Sequence, residues 1–448
     1  MREKRFIAGI FFLLVLCAFT SIFAEISVAD KRRDVIKYGL EGEIIELVQS
    51  LQTEKDTSYT GDLRSLFDKT RSVPVRKGIL ALFADQKIDA MKAYSLEILA
   101  DPYDTSKELV NQILSYVTAL EIRDAAPSVR KMIESDNADF RDQAIRTLGK
   151  IGSAEDAQYL VDYMDAEIPG DEKQRLIIRQ NVMAALGDMK AVEIRDKLVV
   201  IVKDSDENVM IRASATLALG KMENTEDVPL LASLYEEQDP VLRGASITAL
   251  SNMRTPDSIA VILESFKDSY YKVRLEALSA AGKLKITEAI PYILYRAKTD
   301  PVDVVKMKSF EALGSFNDAE SNKWLLSIVC DEKNIDSVRA KAADVLVTSG
   351  CSFDFAEFEK AVLITLKDDK KTKLRYEFGK TLVKNEDSKT AALASAFISH
   401  KDTLTRSIGL DMYEKNKYMS LTADVKAIAS DEKQGALQRR AKKILGID

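Results

Sequence analysis

Small and apolar residues recur along this chain at fixed offsets from a mostly basic position. Three residues after that position stands a small side chain in most cases, and seven residues after it an apolar one, usually Leu. Offsets three and seven lie on one face of an α-helix, so the pattern predicts the buried stripe of a helix. A small residue there lets a neighbouring helix approach closely. The positions that set this register, which we call the Arg column, are Arg141, Arg179, Arg212, Arg243, Arg274, Lys306, Arg339, Arg375, Arg406 and Gln438.

The column repeats every 31 to 38 residues, and a fixed period of this size is typical of a solenoid. The rest of each unit, such as "SAEDAQYLVDYM" from Ser153, opens with capping residues and carries a second apolar stripe. One unit is therefore a helical hairpin that buries its apolar face only by stacking on its neighbours. The predicted fold is all-α, a right-handed α-solenoid (superhelix) of stacked antiparallel helix pairs. Gly often follows the offset-seven residue, and we expect it to end the helix in the left-handed conformation.

Asp often precedes the Arg column, as at Asp268 before Arg274 and at Asp402 before Arg406. An Asp in this place can cap the helix, and the Arg can reach a carboxylate or carbonyl of an adjacent unit. The pattern predicts a structural ladder along the stack.

The pattern D-x-x-x-x-x-R-x-x-A-x-x-x-L-G is written as "DENVMIRASATLALG" from Asp206, and as "DSYYKVRLEALSAAG" from Asp268 with Ala in place of Leu. It resembles HEAT repeats, in the short bacterial form also found in phycobilin lyases. The resemblance covers residues 104–448 and implies partner binding on the concave surface, which the second helix of each unit lines. Residues 25–103 are expected to be degenerate N-terminal helical repeats that form a cap.

The N-terminus has the layout of a secretory signal peptide. A basic "MREKR" precedes the apolar run Phe6–Ala24, which predicts a signal peptide over residues 1–24 cleaved after Ala24, with Ala29 as a weaker site. An uncleaved membrane anchor is the alternative, because this run could just span a bilayer. Lipidation at Cys17 is disfavoured by Leu16, where a lipobox has a small residue. Each alternative places the body of the protein outside the cytoplasm, in the periplasm or cell envelope.

The charge distribution and the histidine content argue against two classes of function, nucleic-acid binding and enzyme activity. The chain has 65 Lys and Arg and 71 Asp and Glu, spread along its length, which argues against a nucleic-acid partner. Its single histidine, His400, is interpreted as a solvated turn residue. Some HEAT-repeat proteins are di-iron hydroxylases with paired His-Glu motifs, and this sequence has none. We therefore expect no enzyme activity, no cofactor and no metal site.

Two cysteines and several aromatic residues have structural interpretations. Cys330 and Cys351 should lie at opposite ends of a helix, about 18 Å apart, too far for a disulfide. Trp324 is predicted to be core. Phe353, Phe355 and Phe358 are predicted to be core, with an exposed aromatic patch as the alternative.

The sequence favours an exported, non-catalytic scaffold or protein-binding protein. An accessory subunit of an envelope enzyme or motility complex is the alternative, and a phycobilin-lyase-like or other HEAT-repeat enzyme is a third. The insertions at 165–174 and 351–360 are either functional loops or drift of the repeat. Exposed positions two and five past the Arg column predict a partner-binding face at Glu276, Lys308, Glu311, Lys341 and Asp344. Position nine predicts a basic rim, which either stabilises helix ends or meets an acidic partner, at Lys150, Lys221, Lys283, Lys384 and Lys415.

Overall fold

The computed structural model describes residues 27–135, 137–166, 168, 170–384 and 386–447, and their regular structure is entirely helical. The predicted signal peptide and Cys17 lie outside these residues. The chain divides into two compact units, 1–222 and 223–448. The predicted boundary between 103 and 104 concerns the regularity of the repeat and stays a prediction.

The first unit contains twelve α-helices in the described residues. They are α1 (Val28–Tyr38), α2 (Glu41–Glu54), α3 (Thr60–Lys69), α4 (Val73–Asp85), α5 (Lys92–Ala100), α6 (Lys107–Ala119), α7 (Ala126–Glu134), α8 (Arg141–Ile151), α9 (Ala154–Asp165), α10 (Glu172–Met189), α11 (Arg195–Lys203) and α12 (Val209–Met222).

The second unit contains fourteen in its described residues. They are α13 (Val228–Ser233), α14 (Pro240–Leu250), α15 (Pro256–Ser265), α16 (Tyr271–Leu284), α17 (Ile290–Thr299), α18 (Asp303–Phe316), α19 (Ala319–Cys330), α20 (Asp336–Thr348), α21 (Phe355–Lys367), α22 (Thr372–Val383), α23 (Ala391–Ile398), α24 (Thr403–Asn416), α25 (Thr422–Ser430) and α26 (Ala436–Leu445). Short 3₁₀ turns open many of the connections.

Each of the two compact units is built of two layers of helices, as the repeated helical hairpins predict. The helices that carry the Arg column, which we call the Arg helices, pack side by side in one layer. They are α8, α10 and α12 in the first unit and the even-numbered α14 to α26 in the second. In the first unit this layer continues back through α6, α4 and α2, where the sequence pattern fades. The degenerate N-terminal segment is thus helical and stacks in the same way.

The core follows the predicted register. Residues three past the Arg column are buried from Ala144 to Ala441, and those seven past it are buried from Leu148 to Leu382. Where the offset-three residue is Ser, its hydroxyl is satisfied inside the core: Ser246 Oγ donates to the Leu231 carbonyl at 2.6 Å. Burying a hydroxyl is tolerated only with such a partner.

The prediction that glycine ends these helices is wrong for all but Gly446, whose φ is 66°. The other glycines lie inside the Arg helices, and Gly149, Gly187 and Gly314 make room for the next Arg helix of the same layer. A Cβ on Gly149 would lie 2.6 Å from Ala185 Cα, and one on Gly187 would lie 2.8 Å from Ala218 Cα. What glycine provides at these positions is close helix approach.

The left-handed residue comes three positions later, eleven past the Arg column. Its φ lies between 50° and 63° at Lys190, Glu223, Arg254, Lys285, Asn317, Gly350 and Lys417.

The last part of each insertion is helical and opens the helix that follows. Asp171 caps α10, accepting from the Gln174 backbone at 2.8 Å, so the first insertion lengthens α10 to 18 residues. The second contributes the start of α21, capped by Asp354.

Candidate partner-binding face

The Arg helices are held in register by the predicted ladder. Each arginine of the column contacts the end of the preceding helix, the segment before the next Arg helix, or both. Arg274 donates two hydrogen bonds to Asp300, both at 2.7 Å, and a third to the Asp268 carbonyl at 2.9 Å. Arg243 likewise forms a bidentate pair with Asp268 at 2.7 and 2.9 Å. These side chains fix the face that each Arg helix presents.

Electrostatics at the ladder follow from burial and pairing. Burial acts to raise the pKa of Asp300, but hydrogen bonds from Arg274 and the Val302 backbone, with the Arg274 charge, outweigh it and lower that pKa. In the first unit, the hydrogen bond from Arg179 lowers the pKa of Glu207. Both carboxylates are therefore ionised partners, and the ladder is structural, as predicted.

Four positions of each Arg helix share one stripe, which is exposed or half-buried except at Ala245 and Ile408. They stand at −2, +2, +5 and +9 relative to the Arg column, and steps of three and four residues place them on one side of a helix. On α18 these are Val304, Lys308, Glu311 and Ser315, all exposed. Within each unit we call the set of these stripes the Arg-helix face.

The five predicted face residues lie on this stripe, and all but Lys308 contact a neighbouring Arg helix. Glu311 pairs with Lys308 at 2.9 Å on its own helix and with Lys341 of α20 at 2.5 Å. Burial acts to raise the pKa of Glu311, and the two lysines lower it overall. Asp344 pairs with Lys384 at 2.6 Å, and Glu276 accepts from Thr248 at 3.0 Å.

The predicted rim lysines also lie at the helix ends, but each already has a polar partner. Lys150 and Lys221 both bind Asp188, at 3.1 and 2.7 Å. Asp188 itself stands at position nine of α10, so these ion pairs join residues at the same position of neighbouring Arg helices. Lys283 donates to Asn252, and Lys415 pairs with Glu386 at 3.2 Å. The sequence predicted a role at the helix dipole or with an outside partner, and these sideways pairs were missed.

An apolar row at position −2 was also missed. Between 39% and 52% of the surface of these residues is exposed, which is unusual for a repeated apolar position. The apolar residues at −2 could have been recognised in the sequence, because they stand one helical turn before the predicted face position at +2. The row comprises Ile177 and Met210 in the first unit and Val241, Val304 and Leu404 in the second.

A groove of about 630 Å³ opens on this face between α20 and α22. It is lined by two of the predicted face residues, Lys341 and Asp344, and by the rim residue Lys384. The structure thus brings the two predicted sets together at one place.

The reactive residues considered from sequence are engaged in structural contacts. Both ring nitrogens of His400 have backbone partners, the Leu366 carbonyl at 3.1 Å and the Asp402 amide at 3.0 Å, so it is not simply solvated. Cys330 and Cys351 are free, and burial raises the pKa of both thiols. Across the described ranges, no three His, Cys, Asp or Glu side chains are grouped to hold a metal ion. The helices of the described residues are too short or too polar to cross a membrane.

The aromatic predictions hold in part. Phe358 is fully buried, with Phe353 and Phe355 packed around it. Trp324 is only half-buried: its ring meets Phe310 edge-on with centroids 5.2 Å apart, and Lys298 lies over it. Trp324 lies on α19, in the layer opposite the Arg helices.

Two layers of short helices joined by a ladder of arginines define a HEAT-repeat protein. The chain belongs to the family described as Spirochaete HEAT repeat protein, whose model matches residues 36–444.

Individual relatives are distant. Deoxyhypusine hydroxylase of Candida albicans (strain SC5314 / ATCC MYA-2876) is 22% identical over 306 residues, which cover 60% of this chain and 95% of that protein. The solved karyopherin Kap121p, bound to the extreme C-terminus of the protein phosphatase Cdc14p, is 11% identical with a TM-score of 0.42, covering 97% of this chain. This chain spans about half of Kap121p, 55% of its length. The complex of CpcE and CpcF of phycocyanin lyase from Nostoc sp. PCC7120 is 16% identical with a TM-score of 0.28, covering 64% of this chain and 93% of that one.

Proposed function

We propose that this chain is an exported, non-catalytic protein of the cell envelope that binds or scaffolds a protein partner along the Arg-helix face. The observation that carries the proposal is the repeated stripe. In five Arg helices the residue at −2 is apolar and exposed, in most Arg helices the residues at +2 and +5 are charged or polar, and in five Arg helices a lysine stands at +9. Such a surface offers apolar contact beside ionic contact, a combination typical of protein interfaces.

Export is supported by the sequence of residues 1–24 alone. The proposal assigns no hydroxylase activity to the chain, because the paired His-Glu motifs of di-iron hydroxylases need more than the one histidine that these 448 residues contain. It assigns no nucleic-acid partner, because the basic residues are balanced by acidic ones along the chain.

In-cell photo-crosslinking tests the proposal. A photoreactive residue replaces Lys308 or Lys341 on the Arg-helix face, and a control replaces Lys323, which is exposed on α19 in the other layer. One discrete adduct from the first two positions alone is expected. Equal or absent adducts from both layers would show that this face is not the working surface. An adduct that co-purifies in a fixed ratio with an enzyme or motility complex would favour the accessory-subunit alternative.

A further inference from the structure

We propose that the groove between α20 and α22 binds a short acidic peptide segment that carries an apolar side chain. This deepens the proposed function and rests on it, because the groove is part of the Arg-helix face. The inference depends on three features: the shape of the groove, the state of its carboxylates, and the surplus of lysines around it.

The shape suits a short extended segment. The α20 wall runs from Asp336 to Asp344, nine residues that span about 12 Å, which corresponds to roughly four residues of extended chain. Ala340 contributes apolar surface between the charged walls, and Leu374 lies beneath it, only 1% exposed. One apolar side chain of a peptide can therefore be covered there while its neighbours face the rims.

Every carboxylate that lines the groove is already paired with a cation of this chain. Asp336 binds Lys371 at 2.8 Å, Asp344 binds Lys384 at 2.6 Å, and Glu377 binds Lys380 at 3.1 Å. The charge of each carboxylate is thus already offset by a lysine of this chain, so the groove offers a basic peptide no unpaired carboxylate. The carboxylates therefore do not favour a basic occupant.

The lysines outnumber the carboxylates. Lys341, Lys373, Lys380 and Lys384 line the groove, against three carboxylates. Lys373 is exposed and makes no ion pair with any described residue. Lysine side chains can turn towards a new anion and keep their first partner, because the ammonium group has three donors. The charge balance at the groove thus favours an acidic segment, in a chain whose overall charge is −6.

Selection from an unbiased library tests the chemistry without knowledge of the natural partner. Phage that display random peptides are panned against the full chain, and the most enriched peptide is synthesised for binding by fluorescence anisotropy. We expect enrichment of Asp and Glu around a Leu, Ile or Phe, and an affinity that falls as ionic strength rises. Enrichment of basic or neutral peptides, or of none, would overturn the proposal.

Matched variants test the location. In the double variant Lys373→Glu, Lys380→Glu, affinity for the selected peptide should fall about tenfold or more, since two attractions become repulsions. The double variant Lys272→Glu, Lys323→Glu carries the same charge change at exposed sites outside the groove and should bind within about twofold of the parent. Equal losses in both would mean that only net charge matters, which contradicts a built site.

A steric pair tests the apolar floor. Ala340→Trp fills the groove and should abolish binding, whereas Ser279→Trp, at an exposed position of α16, should leave it unchanged. Circular dichroism checks that each variant is folded. If the groove variants bind normally while the crosslinking from Lys308 and Lys341 still gives one adduct, the acidic-peptide inference fails and the proposed function stands. If that crosslinking also fails, the proposed function fails as well.

Discussion

The contact between α16 and α18 and the contact between α18 and α20 solve the same packing problem in different ways. In the first, Arg274 reaches forward to Asp300 with two hydrogen bonds, and both side chains are buried. In the second, the column position of α18 is Lys306, which pairs at 3.7 Å with Asp303 of its own helix. The ladder is therefore ionic at the first contact and interrupted at the second.

The packing of small residues differs in the opposite sense. A Cβ on Gly282 would meet nothing closer than Ser315 Oγ at 4.0 Å, so the contact of α16 with α18 has room to spare. A Cβ on Gly314 would collide with Val345 and lie 2.9 Å from Ser349 Oγ, so α18 and α20 are in tight contact. Where the ion pair is missing, close apolar contact holds the two neighbouring helices together. Adjacent repeats with the same sequence pattern thus depend on different forces.

The largest effect should come from breaking the ionic contact. Arg274→Met leaves the buried Asp300 with Arg296, at 3.4 Å, as its remaining cationic partner, and should lower the free energy of unfolding by about 3–5 kcal/mol. Urea unfolding followed by circular dichroism measures it. The double variant Arg274→Met, Asp300→Leu should lose less, because it leaves no buried charge without its partner. An equal or greater loss in the double variant would contradict an ionic origin.

The next effect should come from filling the tight contact. Gly314→Ala overpacks α18 against α20 and should destabilise by about 1–3 kcal/mol. Gly282→Ala is the matched control, and it should stabilise by about 0.5–1 kcal/mol, because Ala is the better helix former and has space. The same sign for both substitutions would show that the two contacts do not differ.

Acid should weaken the ionic contact by a smaller amount, since a protonated Asp300 can still accept hydrogen bonds from Arg274. The pKa of Asp300 is lowered in the folded protein, so the unfolded chain binds its proton first as pH falls. The stability that this carboxylate contributes is present above the ordinary carboxyl pKa and is lost as pH falls below it. Asp300→Asn should therefore show a flatter loss of stability between neutral pH and about pH 3 than the parent. If the stability of the parent and of Asp300→Asn fell in parallel with pH, the pKa of Asp300 would not be lowered in the folded protein.

The smallest effect is expected at Lys306, which occupies the register of Arg274. Its ion pair lies within one helix and is partly exposed, so Lys306→Met should change stability by no more than about 0.5 kcal/mol. A loss close to that of Arg274→Met, in the same urea titration, would mean that Lys306 completes the ladder in solution.

Residue periodicity was sufficient to predict the helix pairs, the buried offsets and the ladder, because each is a local consequence of helix geometry and charge. Gly314 shows the limit of prediction from periodicity. The repeat marks its position as special, but does not tell whether the glycine ends a helix or allows a neighbouring helix to approach closely. The distance between two helices decides that. Lys150 and Lys221 show the same limit. In the sequence, Asp188 interrupts the lysines at position nine, and only the packing of the helices shows that it is their shared partner.

The candidate face was predicted in outline and missed in detail. Lys341, Asp344 and Lys384 were each placed by register, but the groove that joins them depends on the separation of α20 and α22. The apolar row that includes Val304 and Leu404 could have been found by extending the stripe one turn towards the N-terminus.

The left-handed helix ends bear on how this chain could be engineered. At position eleven, lysine, glutamate, arginine or asparagine adopts a conformation that disfavours any side chain by roughly 1 kcal/mol relative to glycine. Arg254, at a φ of 53°, is one such residue. Gly350 already occupies the equivalent place after α20. Substituting glycine at several of these positions should raise the free energy of unfolding without changing a residue of the Arg-helix face. Such a stabilised variant would be a suitable starting point for engineering binding to new partners.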